Sequence, residues 1–214
     1  MAEDDKGKAL LENAYKLSTP EDNKAYYRDF AETYDGDFAD ALGFILPEAI
    51  ARIYTAKARP GDVPVADIGC GTGLIAEALG LPAAQVDGMD ISAEMLERAT
   101  AKALYGRTFE IDLTGDLDPI RNAYGAVLSS GTFTRGHLGP DILAALVSIA
   151  RSGGLFVIGV NKLHYSDRGF DQTLAQLVNA GVIAELDVQE IRMYAKEGHD
   201  HSEDLAVAVS FRKI

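Results

Sequence analysis

Val65-Ala66-Asp67-Ile68-Gly69-Cys70-Gly71-Thr72-Gly73 decides the fold. The apolar run from Val63 to Ile68 reads as a short buried strand. Glycines 69, 71 and 73 follow at once, and they let the backbone turn tightly and approach a ligand closely. Leu74 to Leu79 then has a helical pattern that closes at Gly80. A strand, a glycine turn and a helix in that order open a βαβ unit.

The same alternation continues downstream. Gln85 to Asp90 reads as a second strand, and Ser92 caps a helix holding Met95, Leu96 and Ala99. Thr108 to Leu113 reads as a third strand and Ala126 to Ser129 as a fourth. Asp141 to Arg151 is expected to be helical, Leu155 to Val160 a fifth strand, and Phe170 to Asn179 a helix ended by Gly181. Asp187 to Tyr194 and Leu205 to Phe211 have no helix between them, so they should pair as an antiparallel hairpin at one edge. The expectation is an α/β, doubly wound, seven-stranded, mostly parallel sheet with right-handed crossovers.

Upstream, the first sixty residues read as helices. Ser18-Thr19-Pro20-Glu21-Asp22 is a helix start, with a hydroxyl cap, a first-turn proline and acids at the positive end. That helix would carry Tyr26, Tyr27, Phe30, Ala31 and Tyr34 and stop near Asp35-Gly36. A second start lies at Pro47, with Ile50, Ile53 and Tyr54 at helical spacing, and Arg59-Pro60-Gly61-Asp62 breaks the pattern. Residues 1–60 are therefore read as a helical extension, with a lid over the sheet, and residues 61–214 as the main domain.

The chain has 214 residues, with 20 Lys and Arg against 33 Asp and Glu, a formal net charge of -13. Such a surface repels polyanions, so neither nucleic acid nor an anionic membrane is expected as a partner. Cys70 is the single cysteine, so no intrachain disulfide forms. The start Met1-Ala2-Glu3-Asp4-Asp5 is acidic where a signal peptide would be basic, and no apolar run approaches ~20 residues. The expectation is a cytoplasmic protein; its oligomeric state leaves no trace in the sequence.

In a sheet of this kind, ligands bind at the carboxyl ends of the strands, beside the first one. Asp90, at the end of strand two, has the two oxygens needed to accept both hydroxyls of a ribose. Asp112, in Ile111-Asp112-Leu113 at the end of strand three, would accept from an adenine amino group. A dinucleotide fingerprint would put glycine where Leu74 stands, and a carboxylate such as Asp67 would repel a pyrophosphate. A phosphate-binding P-loop also fails, since no Lys-Ser/Thr pair follows the glycines. The methionyl end of S-adenosylmethionine has an ammonium and a cationic sulfur, so acids near the loop favour it.

Asp67 to Gly73, followed by Asp90 and Ser92-Ala93-Glu94-Met95-Leu96, resembles the class I S-adenosylmethionine-dependent methyltransferases over roughly residues 20 to 214. Leu128 to Pro140, with Gly153-Gly154-Leu155-Phe156-Val157-Ile158 behind it, is similar to the Williams–Beuren syndrome region methyltransferase-like subgroup. Tyr34-Asp35 is similar to that family's cofactor-covering helix. The resemblance implies a methyltransferase with S-adenosylmethionine as cofactor, held by Tyr27, Tyr34, Asp67, Gly69, Cys70, Gly71, Gly73, Asp90, Ile91, Met95, Asp112, Leu113, Ser129 and Ser130. Two positions depart from the family pattern. Tyr124-Gly125 replaces a Tyr-Asp pair, and Arg151-Ser152 replaces Lys-Pro, read as a turn substitution of little consequence.

His137 follows a glycine turn after strand four, where an acceptor would lie, and is the candidate proton acceptor. Cys70 beside Asp67 is read as a small filler, since a nucleophilic thiol needs an electropositive setting. His199-Asp200-His201 with Asp204 reads as a solvated loop cluster, so no metal is expected. Tyr26, Tyr27, Phe133, His137, His164 and Tyr165 are the acceptor-site candidates. Aromatic and neutral polar groups suit a small organic acceptor. The rival readings are a protein that binds the cofactor without turnover and a nicotinamide-dependent reductase, the latter opposed by Leu74 and Asp67.

Overall fold

All four residues of β1 (Val65–Ile68) are buried, as an apolar run requires in a parallel sheet covered on both faces. The computed structural model describes residue 26, residues 34–199 and residues 201–214, without the side chains of residues 37 and 38. β1 lies parallel to β2 (Val86–Asp90) and β4 (Tyr124–Phe133), with Val65 opposite Val86 on one side and Ala126 on the other. β3 (Arg107–Glu110), β5 (Ala150–Asn161), β6 (Ile183–Arg192) and β7 (Leu205–Lys213) complete a seven-stranded sheet in the order β3-β2-β1-β4-β5-β7-β6. β7 is antiparallel to both neighbours, so the last strand slots in beside β5 and leaves β6 at the edge.

Side chains alternate between two apolar layers, as a pleated strand dictates. Val65, Ala126, Leu128, Leu155 and Val157 meet Leu46, Ile50 and Tyr54 of α1 (Leu46–Lys57) and Ile75 and Ala76 of α2 (Leu74–Leu79). Ala66, Ile68, Val127, Phe156 and Ile158 share the other layer with Leu143 and Leu146 of α4 (Leu143–Val147) and Phe170 and Leu174 of α6 (Phe170–Asn179). α3 (Ala93–Ala101) follows β2, and the Ser92 hydroxyl accepts from the Met95 N–H as its cap. The doubly wound architecture read from the sequence is the one found.

The start of this domain is clamped to its end. The Arg212 guanidinium donates to both oxygens of Asp62 at 3.0 and 2.9 Å, and also to the carbonyls of Gly153 and Lys57 at 2.8 Å. Both side chains are buried. A fork-to-fork pair whose two terminal nitrogens each also meet a backbone carbonyl is the form in which an interior tolerates ionic groups.

Several boundaries differ from the expectation. Asp141 to Arg151 is not one helix: a 3₁₀ turn (Pro140–Ile142) leads into the short α4, and β5 already begins at Ala150. The N–H groups of Ala123 and Tyr124 bond the Ile149 carbonyl, and this pairing pulls the chain out of the helix. β4 and β6 extend further than their most apolar runs. β6 starts at Ile183 and passes an irregularity between Ala184 and Asp187, where Glu185 adopts φ +53. β3 ends at Glu110, where its partner β2 also ends, so Asp112 lies beyond the strand. α5 (Lys162–Arg168), capped by the Asn161 side chain, was not foreseen. The helix stop expected at Asp35-Gly36 is absent, because a π-helix runs over Tyr34–Asp40. The helix start at residues 18–22 and the lid residues Tyr27, Phe30 and Ala31 lie outside the described residues.

Both departures from the family pattern have a packing cause. A Cβ on Gly125 would run into Gly61, Val63 and Arg151, so no carboxylate fits there. The Arg151 guanidinium donates to the Gly61 and Val63 carbonyls from that same space. It tethers the segment entering β1, which corrects its reading as an inconsequential turn residue.

Candidate functional site

At the carboxyl end of β1 the chain reverses through Gly69 and Gly71, which sit at φ +62 and +53. A Cβ on Gly69 would strike the Thr132 side chain, whereas one on Gly71 would enter open space above the loop. The loop is held from three sides. The Cys70 N–H bonds the Met89 carbonyl at 2.9 Å. The Ser129 hydroxyl donates to the Ile68 carbonyl at 2.9 Å. The Gly71 N–H donates to Asp90 Oδ2 at 2.8 Å.

Asp90 is partly buried at the tip of β2, and its Oδ1 accepts from the Ser92 N–H at 2.9 Å. Burial raises its carboxyl above the usual range, and backbone N–H groups of Ser92, Gly71 and Ile91 counter part of that shift. Each carboxylate oxygen has two lone-pair sites, so two backbone bonds leave capacity for further donors.

These groups border a cleft of about 970 Å³, solvent at its mouth included. Of the residues expected to hold the cofactor, Tyr34, Gly69, Gly71, Asp90, Ile91, Met95, Asp112, Leu113 and Ser130 line it, and His137 lines it too. Tyr27 lies outside the described residues. Asp67, Cys70, Gly73 and Ser129 are not on its wall: Cys70 and Gly73 belong to the loop itself, and Asp67 and Ser129 lie on the strands beneath it.

Asp67 is the clearest case. It is fully buried, with Oδ2 accepting from the Tyr105 hydroxyl at 2.7 Å and Oδ1 without a hydrogen-bond partner. Burial pushes its carboxyl up to about 7, which the Tyr105 bond only partly offsets. A group poised between its charged and neutral forms is a poor basis for rejecting pyrophosphate, so that part of the sequence argument is corrected. Cys70 is buried with its thiol raised well above the ordinary range, as a filler rather than a nucleophile.

Asp112 is exposed at the cleft's other end. Its Oδ1 accepts from the N–H and hydroxyl of Thr114 at 2.8 and 2.7 Å, forming a side-chain-closed turn. The wall is completed by Ile111, Thr114, Gly131, Thr132, Gly136 and Leu138, which sequence reasoning did not single out as site residues. Thr114 had a usable signal, its spacing two residues after Asp112. The others depend on how β4 opens beyond Ser129, which no local pattern announces.

His137 Nδ1 lies 3.2 Å from the Arg135 carbonyl. A neutral imidazole donating from Nδ1 has its lone pair on Nε2. Burial lowers its pKa, so it is neutral around pH 7. The other acceptor-site candidates are elsewhere. Phe133 is fully buried and meets Phe170 edge-on, Tyr165 stacks on Phe170, and buried His164 bonds the Leu138 carbonyl at 3.0 Å. They support the loop from beneath; Tyr26 packs against the α1 layer.

The π-helix reaches the site through Asp35. Thr72 of the glycine loop donates to Asp35, which also pairs with Lys102 at 2.6 Å. Tyr34 is thereby set over the cleft. Among the described residues no His, Cys, Asp and Glu group is arranged to hold a metal ion. His201 pairs with Asp204 at 2.9 Å, and Asp200 lies outside the described residues.

Residues 65–154 match a methyltransferase domain. Among curated proteins none matches the sequence. Solved structures resemble the chain over most of its length. A TehB-like S-adenosylmethionine-dependent methyltransferase from Corynebacterium glutamicum is 22% identical, with 89% of this chain and 99% of that one covered at TM-score 0.60. An S-adenosylmethionine-dependent methyltransferase from Mesorhizobium loti is 18% identical, covering 76% and 96% at TM-score 0.53. A chain of the Haloferax volcanii complex with the Trm112 methyltransferase activator is 18% identical, covering 88% and 98% at TM-score 0.63. At these identities the likeness of the methyltransferase domain to its neighbours shows the fold alone. The family model over residues 65–154 is what supports a methyltransferase domain, and it leaves the acceptor unspecified.

Proposed function

We propose that the chain is a class I enzyme that transfers a methyl group from S-adenosylmethionine to a small-molecule acceptor. One observation carries this reading: the Gly71 N–H and the Asp90 carboxylate are bonded across a single cleft, with open space above the bare Gly71 backbone. The residues fit the cofactor. Asp90 would accept from the ribose hydroxyls, and Asp112 from the adenine amino group. Ile91, Met95 and Leu113 would sandwich the base, and the bare backbone at Gly69 and Gly71 would let the methionyl portion approach. When bound, S-adenosylmethionine supplies a methyl carbon on a cationic sulfur, so an acceptor lone pair forms the new bond while the S–C electrons return to sulfur.

The chain's own share of the chemistry is mainly alignment. Tyr34 and the segment Ser130–Leu138 would exclude water and hold the acceptor in line. His137 would take a proton at Nε2 where the acceptor must lose one. Residues 1–60 are read as an extension of the 61–214 domain. The covering role belongs to the part before α1, because α1 itself packs on the sheet. Kinship with the Williams–Beuren syndrome region subgroup rests on Leu128 to Pro140, which contributes much of the acceptor-side wall.

Calorimetry of the full chain with S-adenosylmethionine and with NAD(H) tests the reading. Binding of the first alone is the expected result, and binding of NAD(H) alone overturns it. S-adenosylhomocysteine release on addition of an acceptor separates turnover from mere binding, the rival that no specific observation favours.

A further inference from the structure

Beneath the glycine loop lies a buried acid that does not line the cleft. Asp67 has no exposed surface, its Oδ1 has no hydrogen-bond partner, and its Oδ2 accepts from the Tyr105 hydroxyl at 2.7 Å. Its neighbours across the sheet are Gly88 on β2 and Leu128 on β4. A Cβ on Gly88 would crowd the Tyr105 ring and the Cys70 sulfur, and one on Gly73 would crowd the same ring. Tyr105 therefore fills the space between Asp67 and the loop. The titratable groups around Asp67 are Tyr105, Cys70 and Asp90. α1 and α2 give this layer Ile50, Ile75, Ala76 and Tyr54, whose hydroxyl bonds the Asp62 carbonyl. Glu77 of α2 is exposed and pairs with Lys102, and no Lys or Arg among the described residues bonds Asp67.

We propose that Asp67 is a charge-selective residue: ionised beneath the loop, it favours S-adenosylmethionine over S-adenosylhomocysteine, whose sulfur is neutral. The proposal rests on the methyl-transfer reading above. Cofactor and product share the methionyl group, the ribose and the adenine, and differ by a methyl and a positive charge at sulfur. That sulfur joins the methionyl portion to the ribose, the parts assigned to the bare loop and to Asp90. A buried carboxyl without a counter-ion is costly to ionise and gains most from a positive charge nearby. Burial pushes the Asp67 carboxyl up to about 7, with the Tyr105 bond opposing the rise and the Asp90 charge adding to it. Below that value the residue is neutral and insensitive to the charge on sulfur; above it the acid attracts the sulfonium. Methyl transfer removes that charge. The ionised Asp67 then no longer attracts the bound molecule, which favours exchange of product for fresh cofactor.

The test titrates the full chain calorimetrically with S-adenosylmethionine and with S-adenosylhomocysteine between about pH 5.5 and 8. The ratio of the two dissociation constants cancels the titration of groups common to both ligands. Unit charges about 10 Å apart at an effective dielectric of about 20–40 change affinity roughly fivefold to fifteenfold. S-adenosylmethionine should therefore gain at least about fivefold on the product as pH rises through this range. Its binding near neutral pH should also release protons, read as a heat that depends on the buffer. Tyr105→Phe keeps the ring and removes the donated bond, so it should move the rise to higher pH. Asp67→Asn should abolish the rise; Asp90 and His137 remain in that variant, so a rise that persists there overturns the proposal. A ratio independent of pH in the parent overturns it as well. So does an unshifted rise in Tyr105→Phe, the variant that decides the matter if Asp67→Asn does not fold. Each of these results leaves the cofactor reading intact, whereas failure of both ligands to bind the parent overturns both.

Discussion

Replacing Asp90 separates the ribose assignment from a purely structural role. The carboxylate accepts from Gly71 N–H at 2.8 Å and Ser92 N–H at 2.9 Å, and would accept from two ribose hydroxyls as well. Hydrogen bonds to a charged group contribute about 1.5–3 kcal/mol each, so two lost ribose bonds come to about 3–6 kcal/mol before discounting. Asp90 is only partly buried and water would re-solvate the hydroxyls, so we take the lower half of that range. About 3 kcal/mol corresponds to roughly a hundredfold weaker binding. Asp90→Asn is the informative companion. Its single carbonyl oxygen can serve Gly71 or Ser92 but not both, and its NH2 faces an N–H at the other. It should bind S-adenosylmethionine more weakly than the parent and more tightly than Asp90→Ala. Calorimetric titration with S-adenosylmethionine reads both variants, with thermal unfolding as a check on folding. If folded Asp90→Ala binds within about threefold of the parent, the ribose assignment is wrong.

Gly71→Val should stay folded, at about 1–2 kcal/mol for a non-glycine residue at φ +53, and should lose S-adenosylmethionine binding because its side chain enters the cleft; unchanged affinity would show that the loop is not the cofactor site. Arg212→Leu strands the buried Asp62 carboxylate and should cost about 3–5 kcal/mol in urea unfolding, against less than about 1 kcal/mol if the pair is dispensable. For Asp67 the folded state raises the pKa to about 7 from 3.8, so the native protein holds a proton that the unfolded chain releases between those values. Its contribution is therefore greatest at low pH and declines as pH rises through about 7. Asp67→Asn should flatten the dependence of unfolding free energy on pH between roughly 4 and 7 relative to the parent, and identical slopes would refute the perturbed carboxyl.

Local chemistry carried the sequence reading a long way. The glycines after Ile68, the acid ending β2 and the Ser92 cap are all short-range signals, and each led to the element observed; the strand–helix alternation gave the order of the strands but not helices α4 and α5 after β4 and β5. Asp90 was legible because the strand end and the glycine loop are adjacent in any sheet of this topology. Asp67 was misread because proximity in sequence to a loop says nothing about which side of it a side chain occupies. Here the strand's alternation sends Asp67 to Tyr105, behind the loop.

The sequence alone determined the class of fold and the residue types that meet at the carboxyl ends of β1 and β2, because periodicity, turn chemistry and capping act over a few residues. Tertiary structure alone decided what required distant segments to meet. It placed β7 between β5 and β6, cut the Asp141–Arg151 helix short by pairing Ile149 with Ala123 and Tyr124, and joined Asp62 to Arg212 across 150 residues. It also placed Phe133, His164 and Tyr165 around Phe170 rather than on the cleft wall, and left His137 on that wall. An aromatic residue has the same local propensity on either side of a loop, and only the volume left by the packed layers determines which side it fills.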